Sequence, residues 1–241
     1  MFLRYRSRQA ECFDDPDRPR ESVLRDYAQL ERLNRLFRHA DPFIRRIARD
    51  HPASRWQKAR VLEVGAGSGQ LSLELQTWAS QQGWSWDFTC LDLNPCAIDL
   101  NPIPRKCVGD ATRLPFPDQS FDLIIASQMT HHLDEAGVIA HFREAWRVAK
   151  RRVLISDLHR NAFLFAVIAL IAPWLGVSRR LLADGLLSVR KGFRVGEWQS
   201  LASQAGIHGA RVSIDFGCRI ILDAAKTPAS DAPHTEHPAK S

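Results

Sequence analysis

Glu63 stands two residues ahead of three alternating glycines, Gly65, Gly67 and Gly69, in the stretch V-L-E-V-G-A-G-S-G. Asp92 follows 23 residues after the last of them, in T-C-L-D-L-N-P. A glycine turn behind an apolar run lets backbone approach a ligand without Cβ clashes. A helix opening after it offers unpaired N–H groups and a positive dipole end to an anionic group. A carboxylate has several acceptor sites and suits the paired hydroxyls of a ribose. The pattern reads as a cradle for a nucleotide-like molecule. It is not the dinucleotide cradle, whose third glycine would fall where Gln70 stands, and no lysine follows to make a P-loop.

A second cluster follows another apolar run: M-T-H-H-L-D-E brings His131, His132 and Asp134 together. His159 lies further on in I-S-D-L-H-R-N, between Asp157 and Arg160. An imidazole near its ordinary pKa suits removal of a proton from a phenol. The plainer alternative is that these rings pack or line a pocket, and Asp157 or Arg160 could instead orient a substrate. The five cysteines contain no C-x-x-C. They read as reduced, cytosolic thiols rather than staples. A metal or arsenic site from Cys90, Cys96 and Cys107 is the alternative, but small buried thiols account for them and no metal is expected.

Alternating elements must position these groups. Strands are expected at 60–64, 87–92, 106–108, 121–127 and 152–157. Helices fall between them near 69–82, from Pro95, and near 137–149. Uniformly apolar strands in such alternation imply a parallel sheet covered on both faces. A helix near 196–205 and strands at 211–216 and 218–224 follow, the strands parted by Gly217 as an antiparallel hairpin.

The flanks differ. Residues 1–20 are charged and read as a mobile entry. From Ser22 to His51 apolar positions recur at helical spacing, split at Asp41-Pro42, which reads as a cap followed by a first-turn proline. These arginine-rich helices are either a solvated outer face or a roof over a cleft. The run A-F-L-F-A-V-I-A-L-I-A-P-W-L-G at 162–176 is too short to span a bilayer. Basic residues crowd around it: across 158–195, Arg160, Arg179, Arg180, Arg190, Lys191 and Arg194 stand against Asp184 alone. Apolar plus basic suits a lid over a greasy acceptor or a face resting on a membrane, a buried helix being the plainer reading. The polar, proline-rich end from 226 reads as disordered. The net charge of +6 alone selects no partner.

Residues 60–157 resemble the class I S-adenosylmethionine-dependent methyltransferases. An acid two residues before G-x-G-x-G, then Asp92, Asp110 in V-G-D-A-T and the run L-P-F-P-D-Q-S-F-D arrive in that family's order. The resemblance implies a Rossmann-like α/β fold with a mostly parallel seven-stranded sheet, helices on both faces and an antiparallel C-terminal hairpin. It implies a cap over 1–56, a methyltransferase domain over 57–225 with an acceptor-side lid at 158–195, and a tail over 226–241. It also implies S-adenosylmethionine as cofactor. Glu63 would lie beneath the ammonium, and Gly65, Ala66, Gly67 and Gly69 would wrap the methionine portion. Asp92 and Leu93 would take the ribose, Asp110 and Ala111 the adenine, and Ser127 and Gln128 would lie beside the methionine portion. His131, His132 and His159 are the catalytic candidates.

I-S-D-L-H-R-N, the hydrophobic stretch and D-G-L-L-S-V-R-K-G-F are similar to small bacterial methyltransferases found with type III polyketide synthases. They are more loosely similar to the ubiquinone and menaquinone pathway enzymes. The implied acceptor is a hydrophobic phenol, quinone-like ring or polyketide product methylated on oxygen, with the Leu and Phe residues of 162–176 lining its pocket. An RNA or protein methyltransferase and a non-catalytic cofactor-binding partner are the competing readings. Against the former, S-Q-M-T stands where an N-P-P-Y-type motif would, and no basic stripe is interleaved with aromatics.

Overall fold

The computed structural model describes residues 3–15, 18–50 and 53–226. In chain order the regular elements are α1 (Arg20–Leu36), α2 (Asp41–Ala48), β1 (Lys58–Val64), α3 (Gln70–Gln81), β2 (Ser85–Asp92), α4 (Pro95–Leu100), β3 (Lys106–Val108), β4 (Phe121–Ser127), α5 (Glu135–Val148), β5 (Ala149–Leu158), α6 (Ala162–Ile171), α7 (Arg179–Lys191), α8 (Val195–Gln204), β6 (Arg211–Asp215) and β7 (Arg219–Ala225).

The seven strands form one sheet in the order β3-β2-β1-β4-β5-β7-β6. β1 to β5 pair in parallel, and β7 runs antiparallel to both β5 and β6. The Rossmann-like architecture is the one the sequence implied. Strand order reverses between β1 and β4, and ligands bind outside the carboxyl ends of strands at such a point. The glycine turn leaves β1 there and the histidine pair leaves β4 there. Function and topology meet at one place.

The central strands are apolar on both faces because both are covered. Leu62, Val64, Ile124, Val153 and Ile155 pack with Val138 and Phe142 of α5 and Trp198 of α8. Val61, Leu123, Ile125 and Leu154 pack with Leu71 and Leu75 of α3 and with Phe43 and Ile47 of α2. Phe43 and Ile47 are 2% and 0% exposed, and burial of each contributes about 1.5–3 kcal/mol. α2 is therefore part of the sheet cover rather than a solvated face.

Three expectations need correction. Asp41 is the first residue of α2 rather than its cap, and its carboxylate faces Arg38 (2.9 Å) and Arg45 (3.4 Å). β5 begins at Ala149, where α5 runs straight into it and a register irregularity falls between Phe121 and Leu123. The N-terminal segment is docked, not mobile, over its described residues. The Arg6 guanidinium donates to Lys191 O (2.8 Å) and Leu133 O (3.0 Å) and lies 3.7 Å over the Phe193 ring. Ser7 N donates to Arg190 O (3.0 Å) and Cys12 N to Asp184 Oδ1 (3.0 Å). The expected disordered tail, apart from Lys226, lies outside the described residues. Among the described residues no helix is long and apolar enough to cross a membrane.

Candidate active site

A cleft of about 1580 Å³ opens along the carboxyl ends of the strands. Glu63, Gly65, Ala66, Gly67, Asp92, Leu93, Asp110, Ala111, Ser127 and Gln128 all line it. Gly69 does not. It caps α3 in the left-handed region, where a Cβ would collide with the Asn101 amide. Gly67 lies on the cleft wall at φ +51°, and a Cβ there would stand 2.9 Å from the Tyr27 ring.

Asp92, at the tip of β2, accepts from Gly67 N through Oδ2 (2.7 Å) and from Asn94 N through Oδ1 (2.8 Å). These bonds tie the strand end to the turn and leave further lone pairs on each oxygen. Burial raises its pKa against the pull of those N–H donors. Asp110 Oδ1 is fixed by Thr112 N and Thr112 Oγ1, both at 2.8 Å. Ser127 Oγ is buried without a hydrogen-bond partner. Gln128 adopts φ +54°, which costs a non-glycine residue about 1–3 kcal/mol. Its N–H donates to Ser156 O (2.9 Å) and its amide to Asn34 Oδ1 (3.1 Å).

Glu63 is buried, and its Oε2 accepts from Ser72 N (3.1 Å) and Ser72 Oγ (2.5 Å). Burial pushes its pKa up to about 8, the Ser72 bonds opposing the shift. The folded chain thus holds a proton between the ordinary value of 4.5 and about 8 that the unfolded chain releases, so this group's contribution to stability falls as pH rises through that window. A cation beside Glu63 would remove the penalty.

α1 roofs this end. Glu31 Oε1 accepts from Ser68 Oγ (2.6 Å), and its backbone oxygen accepts from the Gln70 amide (3.1 Å). Tyr27, Glu31 and Asn34 all line the cleft. Helical periodicity left this helix either roof or outer face, and nothing in its spacing singled out these three.

His131 belongs to the 3-10 turn Thr130–His132 that follows β4. Asp157, fully buried in β5, holds it twice: Oδ1 lies 2.6 Å from Nδ1, and Oδ2 accepts from the His131 backbone N–H at 2.8 Å. Burial pulls the imidazole pKa down, but Asp157 and then Glu11 outweigh it and the net direction is up. Nε2 faces Glu11 Oε1 at 3.7 Å, and His132 Nε2 lies 3.9 Å from Glu11 Oε2. The two rings are tilted by 36° with centroids 4.2 Å apart. His159 is placed elsewhere: its ring meets Asn161 Nδ2 (2.9 Å), and it does not line the cleft. Arg160 is also outside, buried and bonded to Leu3 O (3.2 Å), Gly192 O (2.7 Å) and Glu197. Of the two neighbours offered for substrate orientation, Asp157 positions His131 and Arg160 braces the N-terminal segment.

Residues 62–155 match the model of the methyltransferase domain family. The chain carries a methyltransferase domain. A demethylmenaquinone methyltransferase of Roseiflexus sp. (strain RS-1) is 34% identical over 95 residues, 38% of each chain. The ubiquinone/menaquinone biosynthesis C-methyltransferase UbiE of Rickettsia bellii (strain OSU 85-389) is 30% identical over 128 residues, 49% of this chain and 47% of that one. The chain therefore matches less than half the length of these curated relatives. In solved structures the fold recurs in magnesium protoporphyrin IX methyltransferase of Synechocystis PCC 6803 with bound SAH (TM-score 0.52, 15% identity, 78% of this chain and 84% of that one). It recurs too in a SAM-dependent methyltransferase of Thermotoga maritima (0.52, 16%, 83% and 100%).

The residues of this methyltransferase domain fit S-adenosylmethionine. Glu63 is a buried carboxyl whose ionisation a neighbouring ammonium would restore, Asp92 has acceptor sites to spare, and Ser127 Oγ is an orphaned donor.

Beyond the methyltransferase domain, the cleft runs on to an apolar wall. Leu164, Val167, Ile168 and Ile171 of α6 line it, with Ala172 and Leu175 of the next turn and Leu181 and Leu182 of α7. The expectation for 162–176 holds for Leu164 and Leu175 only. Phe163, Phe165 and Leu170 do not line the cleft, and Phe163, Leu170 and Trp174 point outward at 64%, 70% and 90% exposure. The basic residues nearby form no uniform face either. Arg160 and Lys191 are buried, and Arg180 bonds Ser22 Oγ at 3.1 Å.

Proposed function

We propose that this chain transfers the methyl group of S-adenosylmethionine to an oxygen of a hydrophobic small molecule, a phenolic, quinone-like or polyketide-derived ring. The observation that carries the reading is continuity. The carboxylates of Glu63 and Asp92, the histidine pair and the α6 wall all line one cleft. Glu63 would face the ammonium of the donor, Asp92 its ribose, Asp110 and Ala111 its adenine, and Ser127 and Gln128 its methionine portion. When bound, the donor supplies a methyl already activated by sulfonium, so the chain's task is to position the acceptor and exclude water. His131 and His132 are the polar groups that would meet the acceptor's oxygen, and α6 would hold its apolar part.

The curated relatives are named for quinone biosynthesis, and one is named a C-methyltransferase. Those names support a quinone-like ring and favour ring carbon as the second target. Only the basic net charge favours RNA, and arginines of the helical flank such as Arg45, bound to Asp215 at 2.6 Å, are spent within the fold. A panel of alkylated phenols and quinols, incubated with donor and analysed by mass spectrometry, tests the reading. A methyl ether product is expected. Bound donor with no product on any member would overturn it, and methylation at carbon would replace oxygen as the target.

Two further outcomes are expected. If Glu63 must ionise to receive the donor's ammonium, calorimetric affinity for S-adenosylmethionine weakens by up to about tenfold per pH unit as pH falls below about 8. An affinity flat from pH 6 to 8 would remove that role. Ile168→Ala raises the acceptor KM by about tenfold, while Phe163→Ala on the outer face leaves it unchanged. Equal effects of the two would mean that α6 does not hold the acceptor.

A further inference from the structure

Glu11, His131 and His132 come from segments more than a hundred residues apart, yet one ligand atom from each lies within 4.8 Å of the others on the cleft wall. Two imidazoles and a carboxylate with an open position are a donor set for zinc and neighbouring divalent ions. We propose that these three side chains bind one divalent cation, and that the cation takes an oxygen of the acceptor.

Three features set the group apart from a chance cluster. His131 Nδ1 is held by Asp157 Oδ1 at 2.6 Å, which aims Nε2 at the cleft. A carboxylate behind a ligating histidine is the usual outer partner of a metal site, fixing ring orientation and raising ligand basicity. Glu11 is likewise oriented, its Oε2 lying 2.8 Å from Ser188 Oγ. The spacing is also close to what is needed. Glu11 Oε1 to His131 Nε2 is 3.7 Å and Glu11 Oε2 to His132 Nε2 is 3.9 Å. Ligands about 2.0–2.1 Å from a tetrahedral ion stand about 3.3 Å apart, and the three ligand atoms lie within 4.8 Å of one another, so side-chain adjustments of up to about 1.5 Å close the site.

Lys191 Nζ, 3.4 Å from Glu11 Oε1, is the competing cation. Around His131 the carboxylates of Glu11 and Asp157 face the Lys191 ammonium, with the Arg6 guanidinium 3.3 Å from His131 O and Arg219 close enough to feel the Asp157 charge. A divalent ion would add positive charge to this cluster, which an acceptor oxyanion offsets. Coordination favours the oxyanion, the hydroxyl proton passing to solvent. Acceptors with two neighbouring oxygens, able to chelate, gain most. This inference rests on the proposed acceptor chemistry, but ion binding is measurable without donor or acceptor.

The test is calorimetric titration of the full chain with Zn2+, backed by the visible spectrum of the Co2+ form. Wild type is expected to bind one equivalent with intense tetrahedral Co2+ bands. His132→Ala, at a partly exposed position, should weaken binding by about a hundredfold. Asp157→Asn should weaken it by about 10–100-fold, and Lys191→Met should strengthen it. His234 and His237 of the tail stay in place, so sites of equal affinity in wild type and His132→Ala would assign the ion to the tail and overturn the proposal. Absence of a bound equivalent in both wild type and Lys191→Met would overturn it too. A chain that binds S-adenosylmethionine but no ion refutes the cation site alone. One that binds the ion but no S-adenosylmethionine refutes the methyltransferase reading instead.

Discussion

His131→Ala lowers turnover by about a hundredfold or more while calorimetric affinity for S-adenosylmethionine stays within about twofold of wild type. The separation follows from where the ring stands. Its Nδ1 is spent on Asp157 at 2.6 Å, and Nε2 faces Glu11 on the wall of the cleft that Glu63, Asp92 and α6 also line. Removing the ring deletes the atom proposed to act on the acceptor oxygen, directly or through a bound cation, and it touches none of the bonds that fix Asp92 or Glu63. Since Asp157 would be left buried beside a void, His131→Asn is the companion variant, its amide able to keep the bond to Asp157. Intact turnover in both variants would remove His131 from the chemistry. Lost donor affinity in both would move it to the donor site.

Asp92→Ala gives the complementary result, a fall of about 10–100-fold in affinity for S-adenosylmethionine, the scale of losing charged hydrogen-bond acceptors. The effect is twofold in origin. The carboxylate would receive the ribose hydroxyls, and it also ties Gly67 N and Asn94 N at 2.7 and 2.8 Å, so alanine loosens the glycine turn as well. Asp92→Asn separates the contributions, keeping one acceptor oxygen and losing the charge. Unchanged affinity in Asp92→Ala would refute the ribose assignment.

That Glu63, the glycine turn and Asp92 would line one cleft was legible in the sequence because they are local to consecutive strand-turn-helix units. Glu63, Gly65 and Gly67 act within one strand-turn-helix unit, Asp92 within the next, and the apolar runs between them place both at the switch point. The hairpin at Gly217 was legible for the same reason: a turn residue at φ +70° between two alternating runs. What could not be read is what long-range packing decides. Glu11 sits in a charged stretch that looks mobile until α7 and the turn after β4 give it Ser188 and the histidines as neighbours. Tyr27, Glu31 and Asn34 carry no motif, and only the closing of α1 onto the glycine turn gives them a role. His159 looked equivalent to His131 by type and neighbourhood. The direction in which β5 ends turns its ring toward Asn161 and away from the cleft.

The match to the methyltransferase domain ends at residue 155, and the apolar cleft wall of α6 and α7 and the segment bearing Glu11 lie outside it. On the proposed reading, the grip on the acceptor's apolar part and the capture of the donor fall largely in separable stretches of polypeptide. Grafting different flanks around an unchanged 62–155 should redirect which molecule is modified without rebuilding the machinery that delivers the one-carbon unit.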